Sequence, residues 1–229
     1  CLAVLISRQH LLAPAQCFSE SEMRATTVRW ALLGDWNPLN PYMEHDCDAQ
    51  QRCSHEPQLT AIDEIIVHPN YDDRLLANNL SILKLAQAVA TSSFIRPICL
   101  LARQPVTYSS QRFIYAGFAL DESIAYKLKA ETQTQSTMSC RETLLRQNFI
   151  RAAFALSVYP VCGNSNQTTP LVSGAALMGV NVENAQPQSY YLAGLLLSMT
   201  SQNNSLIFIR VQPHIEWIER SLRSMTAVE

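Results

Sequence analysis

The first seventeen residues, Cys1-Leu-Ala-Val-Leu-Ile-Ser-Arg-Gln-His-Leu-Leu-Ala-Pro-Ala-Gln16-Cys17, constrain this chain more than any other stretch. An apolar, strand-like run from Leu2 to Ile6 meets a turn signal at Ser7-Arg8-Gln9. A second apolar run follows from His10 to Ala13. Cysteines close both ends, so their pairing would staple two strands and the turn between them into one loop. The residue ahead of the second cysteine is then held rigidly, and it is Gln16. A glutamine amide neither takes nor gives a proton near neutral pH.

The 229 residues suffice for one large all-β domain or two small ones. Hydrophobic content of 48% against 16% charged supports a substantial core and argues against disorder. A net charge of −2 gives no reason to expect a nucleic-acid surface. No apolar run reaches the roughly 20 residues that a membrane-spanning helix needs. The chain opens inside a strand rather than with a signal peptide, and is read as a fragment or a processed piece. There are 7 cysteines, none in Cys-x-x-Cys metal spacing, and Asn-x-Ser/Thr sequons start at Asn79, Asn166 and Asn203. Together these favour an oxidising, secreted setting. With only 6 glycines, few positions offer positive φ or close backbone approach, which counts against a rigid catalytic loop.

Strands are expected at 26–34, Ile62 to Val67 and Leu80 to Leu85, with a long polar loop from Asp35 to Pro57. Further strands fall at Phe113–Phe118 and Leu192–Met199, while Asp121 to Gln135 reads as a charged, exposed loop. Ile215, Ile218 and Leu222 recur at helical spacing near the C-terminus. Short strands with turns between them indicate a sandwich or barrel.

The opening loop resembles the catalytic-histidine loop of the chymotrypsin-like serine proteases. Cys1, Leu5-Ile6-Ser7 and Ala15-Gln16-Cys17 match in order, with Gln16 standing where that family has its histidine. Leu33-Gly34-Asp35-Trp36, Ile62-Asp-Glu-Ile-Ile-Val-His-Pro-Asn-Tyr-Asp72 and Phe94-Ile-Arg-Pro-Ile-Cys-Leu100 are similar to arthropod clip-domain relatives within it. The resemblance implies two six-stranded antiparallel β-barrels and a C-terminal α-helix. The first barrel would span 1–95, its first strand truncated, and the second 96–229. It also implies disulfides Cys1–Cys17, Cys47–Cys53 and Cys140–Cys162. Cys99 would then tie to a cysteine upstream of the protease-like domain; a free buried thiol is the plainer alternative. Asn79 occupies the place of the aspartate that orients and stabilises the family's histidine.

Thr169-Pro-Leu-Val-Ser-Gly-Ala-Ala-Leu177 aligns with the family's nucleophile loop, keeping Ser173 and Gly174. Leu171 replaces the glycine whose N–H forms half the oxyanion hole, where a side chain restricts the backbone and fills the hole. Val172 replaces the aspartate that pairs with a newly cut N-terminus. Thr169 replaces a cysteine, and no partner for one lies between Ser198 and Arg210. Gln167 falls at the base of the specificity pocket and offers no trypsin-like charge.

The resemblance therefore implies a secreted, extracellular, catalytically inactive homologue acting as a cofactor or regulator of an arthropod immune protease cascade. Melanisation through prophenoloxidase activation and complement-like opsonisation are such cascades. Its partners would be cascade proteases, their substrates or microbial surfaces, with the upstream segment attached through Cys99. A second class is a protease-shaped receptor ligand or adhesive protein. A third is an active hydrolase with an unorthodox base, for which His10 and His68 are the candidates. No cofactor is expected. Glu44, Asp46 and Asp48 carry oxygens of the kind calcium takes, but solvated loop charges are the plainer reading.

Overall fold

The computed structural model describes residues 1–18, 28–41, 44–48, 50–101, 106–121, 123–124, 126–154, 160–167, 169–184, 186–200 and 204–226. Its first sheet contains β1 (Val4–Leu5), β2 (His10–Ala13), β3 (Trp30–Leu33), β4 (Gln58–Val67) and β5 (Ser81–Leu85). These run antiparallel in the order β1-β2-β5-β4-β3. Every residue of β5 is buried. Its side chains alternate between two cores, as strand geometry requires. Ile82 joins a cluster shared with the second half of the chain, while Leu83 and Leu85 pack with Leu5, Leu11 and Ile95 under the first sheet.

The second half closes on itself. β6 (Arg112–Gly117), β7 (Leu128–Thr134), β8 (Val161–Ser165), β9 (Ala176–Glu183), β10 (Gln186–Thr200) and β11 (Ser205–Arg210) form a closed barrel in the order β10-β11-β8-β7-β6-β9. Tyr115, Leu177, Leu196 and Phe208 fill its interior. Three register shifts along β10 let one long strand bend between its two neighbours. Helices α1 (Thr137–Arg146) and α2 (Ile150–Phe154) sit between β7 and β8. Ser136 caps α1 by accepting from the Ser139 N–H. The Cys140–Cys162 disulfide joins α1 to β8.

Two expectations need correction. The segment 121–135 is not a single exposed loop, because 128–134 is a barrel strand. Lys129 and Glu131 face outward while the buried Thr132 and Thr134 face inward, so polar side chains on both faces hid the alternation. The first sheet has five strands among the described residues rather than six, and β1 and β3 are its open edges.

The C-terminal helix α3 (Ile215–Thr226) binds the two halves together. Trp217, Ile218 and Met225 enter the same cluster as Leu12, Leu80 and Ile82. The buried Lys84 donates from Nζ to the Met225 carbonyl at 2.9 Å, placing a cation at the helix C-terminus. The Trp217 ring lies 4.6 Å from that of His68. No described helix is long and apolar enough to cross a membrane. Replacing the fully buried Ile218 by alanine (Ile218→Ala) is expected to cost about 2–5 kcal/mol. Urea unfolding would read this as a lower midpoint at unchanged slope.

Candidate functional site

Gln16 sits in a 3-10 turn, Ala15–Phe18, fastened by the Cys1–Cys17 disulfide. Asn79 lies just before β5 and is completely buried. Ser173 precedes β9 and reaches the seam from the barrel side. The fold brings these three together. The Gln16 backbone N–H donates to Asn79 Oδ1 at 2.9 Å, and Asn79 Nδ2 donates to Gln16 Oε1 at 2.8 Å. Gln16 Nε2 then donates to Ser173 Oγ at 3.0 Å and to the Leu197 carbonyl at 3.2 Å. Ser173 Oγ in turn donates to the Leu196 carbonyl at 3.2 Å.

The direction of every link is forced. A main-chain carbonyl only accepts, so the Gln16 atom facing Leu197 must be the amide nitrogen. Its oxygen then faces Asn79, which must present its own nitrogen there. The remaining Asn79 oxygen meets the Gln16 N–H. At the end of this chain Ser173 receives a hydrogen bond where a general base would remove a proton. The serine loop is also fastened to the first residues of the chain. Leu2 donates to the Ser173 carbonyl at 2.7 Å. Gly174 takes φ +94°, and a Cβ there would stand 1.9 Å from the Leu2 oxygen.

The positions flanking Ser173 are arranged as follows. Leu171 buries its side chain in the barrel core, so it does not fill an oxyanion pocket as the sequence led us to expect. Val172 donates its N–H to the Phe118 carbonyl at 2.9 Å. Thr169 is half-buried beside this loop. Gln167 hydrogen-bonds Ser165 Oγ through its N–H, and its buried Oε1 has no partner among the described residues. It does not line the groove of about 1100 Å³ that runs past Ser173 and Gln16. That groove is walled by Phe18, Trp30, Phe118 and Lys127, and Trp30 is 60% exposed.

None of the 5 histidines hydrogen-bonds Ser173 among the described residues. His10 pairs with Ser7 Oγ at 2.8 Å, and burial, with Lys84 nearby, holds its pKa below the usual histidine value. His68 packs against His214 and Trp217. Burial, with Arg220 adding to it, lowers the pKa of His68. His214 bridges the Arg210 carbonyl and Asn78 Oδ1. Its pKa is lowered by burial and then by His68.

The other candidate residues are scattered. Cys47 and Cys53 are bonded, as are Cys1 and Cys17. Cys99 is a free thiol and is exposed, so the buried-thiol alternative is overturned. Its carbonyl accepts from the Leu192 N–H. Both Asp46 oxygens are taken by Trp36 N–H, Asn37 N–H and Asn40 Nδ2, and Asp48 pairs with Arg52 at 2.7 Å. Glu44 is exposed, and no cluster of three metal-ligating side chains occurs among the described residues. Asp46 and Asp48 thus direct their oxygens to loop N–H groups, to Asn40 and to Arg52. Asn166 is exposed, Asn79 uses its amide internally, and Asn203 lies outside the described residues.

The trypsin family model matches residues 1–218. The chain belongs to the trypsin family. It is 27% identical over 97% of its length to phenoloxidase-activating factor 3 of Holotrichia diomphalia, covering 64% of that protein. It is 26% identical, over 97% of its length, to the inactive serine protease PAMR1 of Bos taurus, covering 32% of it. The Drosophila Grass clip serine protease of the Toll pathway superposes with a TM-score of 0.71 at 18% identity, over 97% of this chain and 64% of that one. The fold is thus chymotrypsin-like, with one closed barrel and one curled half-barrel. The chain spans less than two thirds of these proteins' lengths.

What sequence reasoning missed at this site is the part played by Leu196 and Leu197, which act through carbonyls that any residue supplies. The three depressed histidines set a pH dependence. In the unfolded chain each takes a proton near the ordinary value of about 6.5, before its folded counterpart does. The histidines' contribution is therefore full above about pH 6.5 and is lost as the pH drops through that value. Thermal melts across this window should show the loss, and His214→Gln should remove part of it.

Proposed function

We propose that this chain is the protease-shaped part of a secreted, non-catalytic regulator in an arthropod immune protease cascade, such as melanisation. The observation that carries the reading is the direction of hydrogen bonding at Ser173. Its hydroxyl accepts from Gln16 Nε2 and donates to a carbonyl, so nothing beside it takes its proton. The candidate substitute bases, His10 and His68, are engaged with Ser7 and with the Trp217 cluster. Loss of a triad base alone lowers turnover by roughly 10⁴- to 10⁶-fold. Here the orienting aspartate is absent as well, with Asn79 in its place.

The likeness to a phenoloxidase-activating factor supports the cascade, and the likeness to an inactive serine protease supports binding without hydrolysis. Three disulfides and the sequon at the exposed Asn166 fit a secreted setting. The free, exposed Cys99 fits a bond to an upstream segment. Division of the domain near residues 95 and 96 agrees with a first sheet ending at Leu85 and a barrel beginning at Arg112. Cascade proteases, their substrates or microbial surfaces are the partners this reading calls for.

Incubation with fluorogenic peptides and a serine-directed fluorophosphonate tests it. The protein and its Ser173→Ala variant are expected to behave alike, with no turnover and no label. Stoichiometric labelling of Ser173 would refute the reading. A change in the rate at which a cascade protease activates its own substrate separates this role from that of a receptor ligand.

A further inference from the structure

We infer that Gln16, Asn79 and Ser173 now work as a hydrogen-bonded clasp that holds the first sheet against the barrel and is indifferent to pH. Gln16 and Asn79 belong to the first-sheet side of the seam. Ser173, Leu196 and Leu197 belong to the barrel. Four of the five links run through side-chain amides, and the fifth fixes the hydroxyl that receives one of them. Asn79 has no exposed surface, so water offers its amide no replacement partner.

One main-chain contact crosses the same seam, from the Leu2 N–H to the Ser173 carbonyl at 2.7 Å, while the Gly174 N–H fixes the serine loop to the Leu196 carbonyl within the barrel at 2.8 Å. Gly174 leaves no room for a Cβ beside Leu2. The serine loop is thereby gripped from the first strand, from the amide pair and from β10 at once. Neither amide titrates at any pH the fold survives, and the serine hydroxyl stays protonated throughout. A histidine–aspartate pair in this place would carry charges that come and go with pH. The amide pair makes the same geometric connection without them. This role stands whichever partner the protein binds, and it concerns what these residues hold rather than what they fail to catalyse.

Thermal unfolding and hydrogen exchange of four variants test it against the unmodified protein. Gln16→Ala strands the Asn79 amide and should lower the melting temperature by roughly 4–10 °C. Ser173→Ala leaves Gln16 Nε2 its bond to Leu197 and should cost less, about 1–4 °C. In both, exchange at the Leu2 and Gly174 amides should quicken, by about tenfold or more in Gln16→Ala. Asn79→Asp sets a buried carboxylate against Gln16 Oε1, which raises its pKa. Its deficit relative to the unmodified protein should be small at about pH 5 and grow towards about pH 8, as the carboxylate ionises. Pairing it with Gln16→His restores a donor to the carboxylate and should recover at least about half of that loss at the higher pH. The inference is overturned if Ser173→Ala leaves the Leu2 and Gly174 amides exchanging at their original rates. It is equally overturned if the Asn79→Asp deficit is the same at both pH values.

Discussion

The centre of this fold depends on the direction of one hydrogen bond, from the Gln16 amide nitrogen to the Ser173 hydroxyl. An imidazole in that place can accept the serine proton; an amide nitrogen cannot. Once the nitrogen is committed to Ser173 and the Leu197 carbonyl, the rest of the network follows. Gln16 Oε1 turns to Asn79, Asn79 turns its oxygen to the Gln16 backbone, and the Ser173 hydroxyl donates to the Leu196 carbonyl. Gln16, Asn79 and Ser173 are thereby joined in one hydrogen-bonded chain whose side chains are all neutral.

That network lies within a seam built mostly from apolar packing. β5 contributes to two cores at once, and α3 covers the shared one with Trp217, Ile218 and Met225. Lys84 ties the far end of the helix to the first sheet, and His214 ties the near end through Asn78, the neighbour of Asn79. Burial of His10, His68 and His214 lowers their pKa values and so predicts a loss of stability in acid. The amides beside Ser173 add nothing to that sensitivity. Stability and site therefore respond to pH through different residues, although they share one interface.

Much of this was legible in the residues themselves. The apolar runs of β2 and β5 and the helical spacing of Ile215 and Ile218 follow from periodicity. That Gln16 offers no base follows from its side chain being an amide. Other features were not legible, for reasons specific to each. β7 places Thr132 and Thr134 inward, so its polar composition concealed a strand. Leu171 turns into the barrel core, because the direction of a side chain depends on packing that one residue's identity does not specify. Asp46 looked available to a cation until its oxygens were found on the Trp36 and Asn37 amides. The partners of Ser173 are carbonyls, which carry no signature in a sequence.

The donor and acceptor assignment at Ser173 is the claim on which both proposals meet, and a neutron map of deuterium-exchanged crystals observes it directly. The predicted result is a deuterium on Ser173 Oγ aimed at the Leu196 carbonyl, with two on Gln16 Nε2 aimed at Ser173 and Leu197. A Ser173 deuterium aimed at Gln16, or an amide turned so that its oxygen meets the serine, would contradict it.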